Sequence, residues 1–405
     1  MNEKILVLGT LDTKGEEIAF LKRSIELAGC RAVVMDVGIL GQPAAQADIT
    51  RDDVARSAGQ TMEQIRTLPD RKQVIGAMIE GAIQTAKVLH GSSGFDGVVG
   101  IGGGTGMHIC TAIMRSLPIG LPKLMVSSMA SLDVSQFVGP KDITMMTSVA
   151  DLASLNTVTR SVLTQAAGAI CGMARASTPS SQPMTAIAMT SFGITTQCAD
   201  NVGRCLRDIG HELVVFHTVG SGSMAMEELI DQDVFAGVLD LTTHEFIDQV
   251  AGGHYGGVGD ERLETAGRKG LPQVVGPGGL DCVAIFAPEG VPAEFAGRRT
   301  YYHDFRVCVR STAAELEVVA QILASKANKA AGPVKFLIPL RGWSSASRHC
   351  EPLFDPEADR AFVEALKRSL RPDIELREID AHIDDLEYAQ TAVSLLLEMM
   401  TSTWR

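Results

Sequence analysis

Short β-branched and apolar runs alternate with helix-forming stretches along the whole of this chain, and that alternation restricts its fold more than any other feature. Residues 4–8, 31–37, 97–101, 124–127 and 143–147 read as strands, and the alanine-rich stretch LNTVTRSVLTQAAGAICGM at 155–173 reads as a helix closing the first half. Strands separated by helices pair in parallel. The segment RASTPSSQPM, residues 175–184, holds two prolines and three serines and is the best linker in the chain. After it the same grammar restarts, with strands at 185–189, 212–216, 234–239, 273–275, 305–309, 334–338 and 374–378, and helices at 199–209 and from 386 to about 400. The expectation is an α/β protein of two Rossmann-like, doubly wound domains with mostly parallel sheets, 1–178 and 185–405. The halves share an architecture without a residue-level repeat.

Composition excludes several classes of function. The longest apolar runs, such as 5–8 and 393–397, fall far short of the ~20 residues that cross a bilayer, so no membrane span is expected. The opening MNEKILVLGT enters a strand pattern at once, without the apolar stretch of a signal peptide, which places the chain in the cytoplasm. Eight cysteines form no CxxC pair, so neither disulfides nor a zinc site is expected. A net charge of −12 offers no global field to a polyanion, which argues against nucleic-acid binding.

The stretch FDGVVGIGGGTGMHICTAIMRSLP, residues 95–118, runs a strand into glycines and then into a helix. In open parallel sheets ligands sit at such strand ends. Gly102, Gly103, Gly104 and Gly106 let backbone amides approach an anion, the helix start adds partial positive charge, and Thr105 adds a hydroxyl. The pattern is neither a P-loop, which needs GxxxxGK[ST], nor a first-strand dinucleotide fingerprint. A tight turn without a ligand explains it as well. Neighbouring strand ends point toward the phosphates of a nucleotide: LGTLDTKGEE brings Thr10, Asp12, Thr13 and Lys14 to the same edge. Asp36 stands where an acid binds a ribose hydroxyl, and Ser127, Ser128 and Asp133 end the fourth strand. Thr13 with Glu16 also reads as a capping box.

The second half has a strand-end cluster of its own. TSFGITT offers Thr190, Gly193, Thr195 and Thr196; HTVGSGSM offers His217, Gly220, Ser221, Gly222 and Ser223; DLTTHE offers Asp240, Thr242, Thr243, His244 and Glu245; and GPGGLD adds three glycines. Amides at 220–223, before a helix expected to start near Met224, can hold a carboxylate or phosphate. Arg310 and Arg341 end later strands and can clamp the same anion, although a surface ion pair explains either one alone. HEFID is not HExxH, and GSGSM is not the GxSxG elbow. No spacing requires a metal. His217 is a possible general base or a histidine satisfied at a buried turn, and Glu245 an acid-base residue or the first-turn carboxylate of a helix.

GTLDTKGEE, GIGGGTG, DITMMTSVADLASLN, FGITT, HTVGSGSMAMEELI, LDLTTHEFIDQVAGG, RLETAGRKGLPQVVGPGGLD and IPLRGWSS occur in order over essentially the whole chain. Together they resemble the ATP-binding family typified by a plant resistance protein against tomato mosaic virus. The resemblance implies two Rossmann-like subdomains, ATP with Mg²⁺ in the first, and a homodimer. It implies a nucleotide site including Thr10, Asp12, Lys14, Gly102, Gly103, Gly104, Thr105 and Gly106. The plant protein carries a further TIM-barrel domain, which implies a free-standing TIM-barrel partner here. The chain departs from the family pattern at His244, where a threonine is expected, and at His303 with Asp304, where a histidine-asparagine pair is expected; Arg310 is kept. These departures bear on the second half's substrate. Two functions follow as expectations: an ATP-binding protein that acts on or senses a small anionic metabolite, with Glu245, His217 and Arg310 as catalytic candidates, or a nucleotide-dependent interaction switch without turnover.

Overall fold

Residues 5–9 are buried without exception, although successive side chains of a strand point to opposite faces. Only a sheet covered on both sides allows this. The computed structural model describes residues 3–92, 94–176, 186–302 and 306–403. The chain divides into two units, Met1–Ser180 and Ser181–Arg405.

The first unit runs β1 (Lys4–Gly9), α1 (Leu11–Leu27), β2 (Arg31–Asp36), α2 (Arg51–Ser57), α3 (Met62–Arg66), α4 (Arg71–Ser92), β3 (Gly97–Gly102), α5 (Gly104–Arg115), β4 (Lys123–Ser127), α6 (Ser135–Val138), β5 (Ile143–Thr147) and α7 (Thr157–Ala176). Its five strands are parallel, in the order β2-β1-β3-β4-β5. Leu6 and Leu8 pack with Met78, Ile109 and Ile113 on one face, whereas Ile5 and Val7 pack with Ile18, Leu163 and Ile170 on the other. The serine- and proline-rich segment lies, from residue 177 onward, outside the described residues.

The second unit runs β6 (Ala186–Ser191), a 3₁₀ turn (Gly193–Thr195), α8 (Thr196–Asp208), β7 (Glu212–His217), α9 (Ser221–Asp231), β8 (Gly237–Thr242), α10 (His244–Ala251), α11 (Thr265–Lys269), β9 (Gln273–Gly278), β10 (Cys282–Phe286), β11 (Thr300–Tyr302), β12 (Arg306–Arg310), α12 (Ala313–Ala327), β13 (Val334–Pro339), α13 (Pro356–Ser369), β14 (Glu375–Ile379) and α14 (Leu386–Thr403). Six strands form a parallel sheet in the order β14-β13-β9-β8-β6-β7. Counted from its own first strand, this unit repeats the winding of the first and adds one strand, β14. Both units are therefore doubly wound, with the order reversing beside β1 and β3 in one and beside β6 and β8 in the other.

One strand expectation is corrected. The strand read at 305–309 does not join the parallel sheet; β12 pairs antiparallel with β10 and β11 in a separate sheet, Ala284 opposite Cys308. Its partners escaped the sequence reading because β11 is three residues long and β10 follows a glycine turn directly. The helices at 51–92 were also missed. Among the described residues no helix is long and apolar enough to cross a membrane.

Candidate functional site

A cleft of about 300 Å³ opens where the strand order of the first unit reverses, between the carboxyl ends of β1 and β3. Its volume is at the lower end of small-molecule sites. Thr10, Asp12, Thr13 and Lys14 line it from the start of α1, and Gly103, Gly104, Thr105 and Gly106 from the start of α5. Gly103 is the N-cap of α5 and no side chain caps that helix, so the cleft is lined by an uncapped first turn with its partial positive charge. Ile39, Leu40 and Ile109 supply an apolar side.

The glycines differ in what holds them. A Cβ on Gly102 would stand 2.7 Å from the Gly106 Cα, so the turn itself demands glycine there. A Cβ on Gly104 would meet nothing within 4 Å, and Gly104 is exposed in the cleft. The fold does not require that glycine. Ser128 lies at the rim, its hydroxyl 3.9 Å from where a Gly103 Cβ would stand.

Several expected roles change. Lys14 donates to the Leu152 carbonyl at 2.6 Å across a local break in α1, so it has a structural partner as well as a place in the lining. Asp36 does not reach a ribose: it is buried, and one oxygen accepts the N–H groups of Leu11 (3.0 Å) and Gly38 (2.8 Å). Burial pushes its carboxyl up from the usual range, against those two bonds. The capping box at Thr13 does not form, because α1 begins two residues earlier with Thr10 as its N-cap. Asp133 caps a local turn at Ser135. Asp12 accepts the Leu40 N–H at 2.6 Å and is the one carboxylate among the residues lining the cleft. Arg71, which opens α4 and brings a second cation, was missed; nothing in the sequence shows that α4 starts at this edge.

In the second unit the equivalent edge is filled by its own hydroxyls. Thr195 and Thr242 share a hydrogen bond at 3.0 Å, Thr190 donates to Asp240 at 2.8 Å, and Thr243 donates to the Gly276 carbonyl at 2.9 Å. All four threonines are fully buried. The antiparallel sheet packs on this edge, with Cys282, Ala284 and Cys308 in one cluster with Phe192 and Ile194. Asp248 fastens it by accepting the N–H of Ala284 at 2.9 Å. The expected open anion site at Thr195, Thr242 and Thr243 is thus closed by internal bonds. Gly222 also has a packing reason, since a Cβ there would stand 2.2 Å from the His217 carbonyl. Gly220, with φ +81°, turns the chain into α9, whose first residue, Ser221, is exposed.

The arginine clamp does not assemble. Arg310 is buried in an ion pair with Asp359 and also donates to the Asp355 carbonyl at 3.1 Å, because β12 belongs to the antiparallel sheet. Arg341 is an exposed bidentate partner of Asp380, at 2.6 and 2.7 Å. Glu245 is in the first turn of α10 and has no exposed surface. It belongs to a buried group missed in the sequence, in which Arg262 binds Asp240 and has Glu227 at 3.5 Å and Glu245 at 3.6 Å. His217 is exposed at the end of the edge strand β7 and packs edge-on against Phe192, 5.6 Å between ring centres. Phe192 stacks in turn on the buried His244 at 4.1 Å. His303 and Asp304 lie outside the described residues, and among those described no group of three His, Cys, Asp or Glu could hold a metal.

Comparison with known proteins matches both units. The Uncharacterised protein family (UPF0261) N-terminal domain matches residues 3–179, and its C-terminal domain matches residues 184–400. A UPF0261 protein of Clostridium tetani is 38% identical over 405 residues, covering 99% of this chain and 100% of that protein. One of Rhizobium meliloti is 41% identical over 397 residues, covering 97% and 98%. The ToMV resistance protein Tm-1(GCR237) of Solanum lycopersicum is 30% identical over 420 residues, covering 98% of this chain and 56% of the tomato protein. Among solved structures, a putative UDP-N-acetylglucosamine 2-epimerase from Listeria monocytogenes is 11% identical at a TM-score of 0.24, covering 98% of this chain and 88% of that one. A likeness at that level carries nothing about activity.

Proposed function

We propose, for a chain that belongs to the Uncharacterised protein family UPF0261 through both of its units, that the first unit binds ATP by its phosphates in the β1–β3 cleft. The observation that carries the proposal is Gly104: a glycine the fold does not require, at the uncapped start of a helix, lining a cleft at the reversal of strand order. Backbone approach to a phosphate explains it. Lys14 and Arg71 supply cationic charge to the same cleft, and Thr10 and Thr105 hydroxyl donors. Mg²⁺ fits as an ion held by one carboxylate and the substrate phosphates, and Asp12 would be that carboxylate. Bound there, the ion would neutralise charge between phosphates.

The second unit, on this reading, acts on or senses a small anionic metabolite. With Arg310 and Arg341 committed elsewhere, the anion site narrows to the start of α9 at Gly220, Ser221 and Gly222, beginning three residues after His217. The family likeness adds a homodimer and a TIM-barrel partner to the proposal.

A second reading, a nucleotide-dependent interaction switch, is favoured by a specific observation. The cleft lining contains no histidine or cysteine, and Asp12, its one acid, is the group that would hold Mg²⁺, so no second acid stands beside it as a base. A relative named as a virus resistance protein fits the same reading. Calorimetric titration of ATP with Mg²⁺ into the wild type and a Gly104→Asp variant tests both readings. Binding in the wild type and its loss in the variant supports the site, and product formation then separates an enzyme from a switch. No binding to the wild type removes the nucleotide reading.

A further inference from the structure

A second cavity, about 330 Å³, lies within the second unit at the carboxyl ends of β13 and β14. Ile338 and Pro339 close β13 at its edge, and Glu378 sits one residue before the end of β14. The opposite wall is a stripe of α13 at helical spacing, Pro356, Asp359, Arg360, Val363 and Glu364. Leu340 contributes exposed apolar surface, whereas Trp343 lies buried with its indole N–H donated to the Pro339 carbonyl at 3.0 Å.

The charges on these walls are unequally satisfied. Glu378 is held by Lys367 at 2.6 Å, and Glu364 stands 3.6 Å from the same ammonium. Asp359 shares Arg310, and burial pushes its carboxyl up to about 7, with Arg310 pulling it down and Asp281 and Asp355 adding to the rise. Arg360 has neither a hydrogen bond nor an ion pair among the described residues. An acid wall and an unpaired guanidinium therefore face one small cavity with an apolar side, and a ligand that satisfies both must carry both charges.

We propose that this cavity binds a free amino acid with an apolar side chain, its carboxylate on Arg360, its ammonium on Glu364 and Asp359, and its side chain against Leu340 and Pro356. An anion alone would leave the carboxylates facing it, and an amine alone would leave Arg360 unpaired. The site does not depend on nucleotide binding in the other unit.

Equilibrium dialysis of the full chain with radiolabelled L-leucine tests the proposal, alongside Arg360→Ala and Glu364→Gln, both at exposed positions that leave the core intact. Saturable binding to the wild type is expected, weakened about tenfold or more in each variant, with neither leucinamide nor 4-methylpentanoate competing as well as leucine. The proposal is overturned by no saturable binding at about 10 mM leucine, by affinity unchanged in both variants, or by either half-ligand competing equally.

Discussion

The Glu245 carboxyl stands 3.6 Å from the Arg262 guanidinium and makes no hydrogen bond to it. Arg262 gives its hydrogen bonds to Asp240, and Glu227 accepts the N–H groups of Leu263 (2.6 Å) and Thr265 (3.2 Å). One guanidinium cannot neutralise three buried carboxylates, and Glu245 is the one that stands beyond hydrogen-bond distance of it. Burial raises its pKa, partly opposed by Arg262 and by the Ser223 hydroxyl. The folded protein therefore holds this proton more tightly than the unfolded chain, and the cost of Glu245 is absent in acid and grows as pH rises through the folded value. Glu245→Gln should raise stability at pH 8 by about 1 kcal/mol or more, with the gain shrinking toward pH 4. Urea unfolding across that range checks it.

His244 has the opposite dependence on charge. Burial lowers its pKa, but Asp248 at 3.4 Å and the Gly279 carbonyl at 3.0 Å outweigh burial and lift it to about 9. A raised histidine contributes stability that is fully present below its unfolded pKa near 6.5 and is lost as pH rises through the folded value. The thermal midpoint of the second unit should fall between about pH 6.5 and 9.5. His244→Gln should flatten that slope, and a slope unchanged in the variant would remove the charged-imidazole account.

Two glycines of the same turn should respond differently. Gly102→Ala places a methyl against the Gly106 backbone at 2.7 Å and should cost about 1–3 kcal/mol in the unfolding of the first unit. Gly104→Ala meets open space and should leave stability within about 0.5 kcal/mol. Equal effects in denaturant titrations would mean that Gly104 is held by the fold.

The two arginines once expected to clamp an anion should separate by an order of magnitude in energy. Arg310→Ala leaves Asp359 buried without its partner and should cost about 3–5 kcal/mol. Arg341→Ala removes an exposed pair with Asp380 and should change stability by less than about 0.5 kcal/mol. Neither should change anion affinity when the folded variants are titrated with inorganic phosphate.

The parallel strands and the glycine turn were legible because their signals are local. A strand buried on both faces is a continuous apolar run, and a strand-to-helix turn shows its glycines within six residues. The charged groups were not. Asp36, Arg310 and Glu245 were each placed correctly at an element's end, yet their roles depend on residues 25, 49 and 17 positions away: Leu11, Asp359 and Arg262.

By itself the sequence determined two doubly wound units, their parallel strands, and the glycine-lined edge beside β1 and β3, since hydrophobic period and turn chemistry act over a few residues. Tertiary structure alone decided which edge stays open. In the second unit β10, β11 and β12 fold onto the threonine-lined turns, and hydroxyls that read as ligand donors bind one another. Whether a polar group meets a ligand or a neighbour depends on what long-range packing brings within 3 Å of it, and no local pattern records that.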